Sequence, residues 1–128
     1  MFKRKFYRCD HCGNLFDVVD DAGVTPICCG ESMRILEPNT TDGAAEKHVP
    51  VIERNGDKVV VKVGSAPHPM LQEHYIQWVA VVQEDRIQFA TLKPGATPEA
   101  TFALADANGP ITAYEYCNLH GLWVAESA

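Results

Sequence analysis

Val49-Pro50-Val51-Ile52-Glu53 and Lys58-Val59-Val60-Val61-Lys62-Val63 flank Arg54-Asn55-Gly56-Asp57. An Asn-Gly pair between two apolar, β-branched runs predicts a β-hairpin, because Asn and Gly accept the left-handed backbone angles of a tight hairpin turn. Downstream the same grammar repeats. Tyr75 to Val82 is rich in β-branched and aromatic residues, and further runs follow at Gln88 to Leu92, Ala100 to Leu104, Ile111 to Cys117 and Leu122 to Ala125. Lys93-Pro94-Gly95 and Asn108-Gly109-Pro110 separate them, Glu84-Asp85 reads as a turn, and no amphipathic helix competes. Seven short strands with turn signals between them predict an all-β fold, an immunoglobulin-like antiparallel β-sandwich over residues 38–128.

Upstream, Leu36-Glu37-Pro38-Asn39-Thr40-Thr41-Asp42-Gly43 reads as a linker, so residues 1–37 form a separate small domain. So short a segment cannot bury enough apolar surface to fold on a core alone. It carries Cys9-Asp10-His11-Cys12 and the adjacent pair Cys28-Cys29, and a metal held by four thiolates would supply the missing folding energy. Gly13 and Gly30, each directly after a cysteine, provide the backbone angles such turns need. Gly13 also excludes attachment of a c-type haem, which requires His at that place. Four sulfurs suit a closed tetrahedral iron or zinc site. The vicinal pair predicts a distorted tetrahedron, and His11 is expected to face solvent.

A second donor set lies on the sandwich: His48 before its first strand, His68 between two prolines, His74 before the Tyr75 strand, and Cys117 and His120 between the last two strands. All these segments can converge at one end of a sandwich, where loops carry sites. Several imidazoles with one thiolate suit a redox metal that keeps a position open. Five ligands around iron leave a sixth position free. With the imidazoles holding a plane, the thiolate would lie opposite that position and feed electron density through the metal.

Composition excludes other classes. The 128-residue chain has a formal net charge of −6 and no basic stripe, which argues against a nucleic-acid partner. No apolar run approaches the ~20 residues that cross a bilayer. The basic start, Met1-Phe2-Lys3-Arg4-Lys5, lacks the apolar stretch of a secretory signal, so a cytoplasmic protein is expected. Five cysteines at metal-ligand spacings fit a reducing compartment.

The motifs together carry a resemblance. Cys9-x-x-Cys12 with Cys28-Cys29, Glu46-Lys47-His48-Val49-Pro50-Val51-Ile52, His68-Pro69-Met70, His74-Tyr75-Ile76-Gln77-Trp78 and Glu115-Tyr116-Cys117-Asn118-Leu119-His120-Gly121 resemble desulfoferrodoxin, the two-iron form of superoxide reductase. The similarity covers nearly the whole chain. It departs mainly between strands, with Gly121-Leu122-Trp123 where a second His often follows the Gly.

The resemblance implies two mononuclear iron ions, one on Cys9, Cys12, Cys28 and Cys29 and a catalytic one on His48, His68, His74, His120 and Cys117. It implies one-electron reduction of superoxide to hydrogen peroxide without the oxidising half of dismutation, a rubredoxin-like electron donor, and a homodimer. Glu46 is implied to ligate the ferric iron after turnover. Lys47 reads as the local positive charge that a negative chain needs to attract a negative substrate. Glu115, two residues before Cys117 on one strand, is expected on the same face as the ligand, where it could tune the thiolate or simply sit on the sheet surface. The competing reading is an electron-transfer metalloprotein without catalytic turnover. A blue-copper site, however, wants two histidines, a cysteine and a closely following methionine, and no methionine follows His120.

Overall fold

The computed structural model describes residues 4–41 and 43–127. The chain falls into two compact units that divide between Glu37 and Pro38.

In the first unit, β1 (Phe6–Arg8) is the central strand of an antiparallel sheet between β2 (Leu15–Asp17) and β5 (Arg34–Ile35). A separate small ribbon pairs β3 (Ile27–Cys28) with β4 (Glu31–Ser32). Strands this short bury little. One buried cluster joins Tyr7, Cys9 and Met33, with Val18 and Cys28 packed against it, and Phe6 and Leu36 are buried as well. Two cysteines in so small a core tie the unit's folding to whatever the sulfurs hold.

The second unit carries two antiparallel sheets. One orders β10 (Glu99–Ala103), β7 (Lys58–Val63) and β6 (Pro50–Asn55). The other orders β12 (Gly121–Ser127), β11 (Ile111–Cys117), β8 (Ile76–Gln83) and β9 (Arg86–Thr91). Val59, Val61 and Val63 of β7 meet Val79 and Val81 of β8 and Ile111 and Ala113 of β11 in one buried cluster. Each valine or isoleucine side chain so taken from water contributes roughly 1.5–3 kcal/mol before conformational entropy is counted. The fold is therefore the β-sandwich that the sequence predicts, joined to a small four-cysteine unit.

Its departures from the sequence reading are local. The β6–β7 hairpin closes on Gly56-Asp57, with Gly56 at φ +62° and Asn55 paired with Lys58. The strand expected from Gln88 begins at Arg86, because Glu84 adopts φ +53° and closes a two-residue turn between Gln83 and Arg86. A single helical turn, α1 (Ala45–His48), precedes β6. Four residues are too few for a helical period to show in the sequence. The turn packs where a side chain would collide: a Cβ on Gly64 would lie 2.7 Å from the carbonyl oxygen of Glu46. That carbonyl accepts the Ala66 N–H at 2.8 Å and faces the Ser65 hydroxyl at 3.2 Å.

One irregularity positions the functional end. Tyr116 pairs with Trp78, but Cys117 pairs with Ile76, so β8 carries one extra residue there. This bulge lets Ile76 and Val79 both face the core despite odd spacing, while Cys117 at the end of β11 reaches the core by regular alternation with Ile111 and Ala113 and is fully buried.

Candidate metal centres

The four cysteines of the first unit converge, their sulfurs all within 4.8 Å of one another. Sγ of Cys12 is 3.6 Å from that of Cys28, and the vicinal Cys28 and Cys29 sulfurs are 3.9 Å apart. Cys29 reaches the cluster by adopting φ +55°, a left-handed conformation on the cysteine itself, while Gly13 and Gly30 take φ +82° and +77°. The glycine positions were legible in the sequence; the strain on Cys29 is the form that bending of the vicinal pair takes. None of the five cysteines is in a disulfide. The Cys12 backbone N–H points at the Cys9 sulfur from 3.5 Å and, with that of His11, lowers the Cys9 thiol to about 6. Hydrogen bonding among the thiols, Cys12 first, pushes Cys29 up to about 12. Four sulfurs this close cannot all ionise unless a cation sits among them, and a thiophilic metal would resolve that conflict. His11 is exposed and pairs with Glu31 at 3.1 Å, outside the sulfur cluster.

At the end of the sandwich, His48, His68, His74, His120 and Cys117 each bring a donor atom within the same 4.8 Å limit. The four rings form a closed cycle. Neighbouring centroids are 4.6 Å apart for His48 and His68, 4.7 Å for His68 and His74, 5.0 Å for His74 and His120, and 4.8 Å for His120 and His48. The interplanar angles are 73°, 83°, 69° and 76° in the same order. Four imidazoles standing nearly perpendicular to their neighbours in a ring direct their nitrogens at a common centre. The Cys117 sulfur lies 3.5 Å from Nε2 of His68 and 3.8 Å from Nδ1 of His120.

The tautomers suit this arrangement. Nδ1 of His48 lies 2.7 Å from the Ala44 carbonyl, and Nδ1 of His68 lies 2.6 Å from that of Pro69. Each Nδ1–H donates to its carbonyl, which leaves Nε2 as a lone-pair donor facing inward. The two Nε2 atoms approach to 3.1 Å. Burial lowers the pKa of His48 and His74 and takes His68 down to about 4, so the rings stay neutral at pH 7. Nε2 of His74 is buried and has no hydrogen-bond partner among the described residues. Such an orphaned nitrogen facing three other donors fits a metal ion at the centre.

Together the pattern of the desulfoferrodoxin family, which matches residues 40–126, and that of its N-terminal domain, which matches residues 3–36, account for both units. The chain belongs to the desulfoferrodoxin family. It is 46% identical over 124 residues to the desulfoferrodoxin of Syntrophotalea carbinolica, covering 97% of each chain. It is likewise 46% identical to that of Nitratidesulfovibrio vulgaris, covering 96% of each. The crystal structure of the superoxide reductase from Treponema pallidum superposes with a TM-score of 0.79 at 41% identity, covering 97% of this chain and 99% of that one. The two donor sets, four cysteines and four histidines with a cysteine, fit the two iron centres of desulfoferrodoxins.

Around the second centre, Glu46 and Lys47 are exposed on the helical turn that delivers His48. The Lys47 ammonium contributes to the lowered pKa of both His48 and His74, which places its positive charge within electrostatic reach of the cluster. Glu115 is fully buried, and both its carboxylate oxygens lack a partner among the described residues. That burial excludes the alternative of a sheet-surface glutamate, and it pushes the Glu115 pKa up to about 9.

Sequence reasoning missed three neighbours. The Trp123 ring stacks on His48 with centroids 5.0 Å apart and an interplanar angle of 22°, and its indole N–H donates to the His120 carbonyl at 3.0 Å. Gly43 lies against the His120 ring, where a Cβ would come within 3.3 Å. Asn118 binds the chain on either side of His74. No motif could flag them, since each acts through contact with a ligand and not as one.

Proposed function

We infer that the chain is a superoxide reductase that converts superoxide, one electron and two protons to hydrogen peroxide. The observation that carries this reading is the closed ring of four imidazoles with a buried thiol beside it. Iron bound there would supply the electron and, with five protein donors, a sixth position for the substrate. The chain's own residues supply the rest. Neutral His48, His68 and His74 offer lone pairs without a proton to displace, whereas burial holds the Cys117 thiol above its ordinary range, so it would become the single anionic donor only by giving up its proton to a bound metal. The Lys47 ammonium attracts the anionic substrate in a chain that is otherwise negative. Glu46, one residue earlier on the exposed turn, is proposed as the carboxylate that occupies the sixth position after electron transfer.

His74 and His120 are only partly buried, whereas His48, His68 and Cys117 are sealed from solvent, so small anions would approach past the first pair. We assign residues 1–37 as a desulforedoxin-like iron domain and 38–128 as the catalytic domain. A rubredoxin-like donor, a homodimeric state and a cytoplasmic location complete the proposal, the last supported by cysteines at metal-ligand spacings, which suit a reducing compartment. Rapid mixing of the reduced, iron-loaded protein with superoxide tests the activity. One peroxide per electron with no oxygen evolved is expected. Oxidation of only one equivalent, with no turnover when donor is supplied, would leave an electron carrier instead.

A further inference from the structure

The four histidines of the second centre are not secured alike. His48 and His68 are each anchored through their own ring, by an Nδ1 hydrogen bond to a backbone carbonyl. His120 shares a tight turn with Cys117, and its carbonyl is held by Trp123. The His74 ring is only partly buried, and its Nε2 has no partner among the described residues. Its placement therefore depends on its backbone. Locally, that backbone makes only a narrow loop, with the Leu71 N–H donating to the His74 carbonyl at 2.9 Å and the reverse bond at 3.2 Å.

Asn118 closes the gap. Its Oδ1 accepts the Tyr75 N–H at 2.9 Å, and its Nδ2 donates to the Glu73 carbonyl at 3.0 Å. The Asn118 backbone N–H donates to the Tyr75 carbonyl at 3.2 Å. One residue thus grips the chain immediately before and after His74, and it follows Cys117 directly in sequence. The side-chain amide adds to this backbone bond just beyond the paired ends of β8 and β11. Only a primary amide offers both an acceptor and a donor in that geometry.

We propose that Asn118 is a positioning residue for the catalytic centre: it fixes the His74 segment to the Cys117 turn, so that the least anchored imidazole and the thiolate keep one mutual geometry. This rests on the superoxide reductase reading for its chemistry, but not for its geometry. Outer partners that orient metal ligands typically account for about 10–100-fold in metal affinity, and two hydrogen bonds placed on the backbone of a ligand act in the same way.

The test compares the full-length parent with Asn118→Ala and Asn118→Asp, all loaded with Co2+ as a spectroscopic probe at the second centre. Asn118→Ala should weaken Co2+ retention against a chelator by roughly tenfold or more. It should also alter the ligand-field bands of the His/Cys site while leaving those of the four-cysteine site unchanged. Asn118→Asp keeps the acceptor for Tyr75 but loses the donor for Glu73, and should fall between Ala and the parent in both readouts. It also carries the test if the Ala variant does not fold. Parent-like affinity and bands in either folded variant would overturn the proposal, as would a loss of thermal stability with both sets of bands unmoved. Failure of the parent itself to bind Co2+ at the His/Cys site would instead count against the centre, and so against the proposed function.

Discussion

The sulfur of Cys117 and Nε2 of His68 lie 3.5 Å apart although 49 positions separate them in sequence. That proximity is produced by the sandwich, which sets the end of β11 beside the loop after β7, and all five donors of the cluster lie on the second unit. Cys117→Ser should therefore lower superoxide reduction by more than the roughly 10–100-fold that a lost outer partner costs. The absorption of the four-cysteine iron should be unchanged. Full activity in this variant would remove Cys117 from the centre.

The converse experiment is Cys12→Ser. Among the described residues the first unit buries only Phe6, Tyr7, Met33 and Leu36 beside the ligand Cys9, so a metal ion stands in for the apolar burial it lacks. Loss of one of four thiolates should bleach the first centre and lower the unfolding temperature of that unit. Superoxide reduction driven by a chemical electron donor should persist. Simultaneous loss of both activities, measured on the same preparation, would show that the units do not act independently.

The legibility of the sequence depends on the range of each signal. The Asn-Gly turn and the β-branched runs are local, and they yielded every strand of the sandwich to within a few residues. Both donor sets were legible because Cys and His have few other reasons to recur at such spacings. The helical turn at Ala45–His48 left no mark, since it is held by Gly64 and Ala66 from another segment. Glu115 was ambiguous for a similar reason: strand alternation gives its face, but only the packing of both sheets reveals that the face is sealed. Asn118 carried no signal because its side-chain partners lie 43 and 45 positions away.

Glu46→Ala separates the encounter with superoxide from the later ligation of the oxidised iron. Glu46 sits on the exposed turn, and its backbone carbonyl, not its carboxylate, anchors that turn to Ala66. Removing the side chain should leave the turn and His48 in place, so the first reaction with superoxide stays fast. The oxidised protein should then bind added anions such as azide more tightly, by roughly tenfold or ~1.4 kcal/mol if the carboxylate is a modest competitor. A ferric spectrum and azide affinity equal to the parent's would exclude this role for Glu46.

Lys47 offers the most discriminating measurement. Its ammonium lies close enough to influence His48 and His74, in a chain whose formal charge is −6. Attraction between opposite charges is what salt screens, over a length of about 10 Å at 0.1 M ionic strength. Lys47→Met keeps the length of the side chain and removes the charge. It should slow the second-order encounter with superoxide by about tenfold at low salt, the lower end of electrostatic steering. The parent's rate should fall as salt is added, while the variant's should be flat or rise slightly, because the remaining field is repulsive to an anion. The two curves should converge at high salt, and the spectrum of the His/Cys iron should barely move. An encounter rate at low salt equal to the parent's would return Lys47 to the solvated surface and leave attraction of the substrate to the metal centre itself.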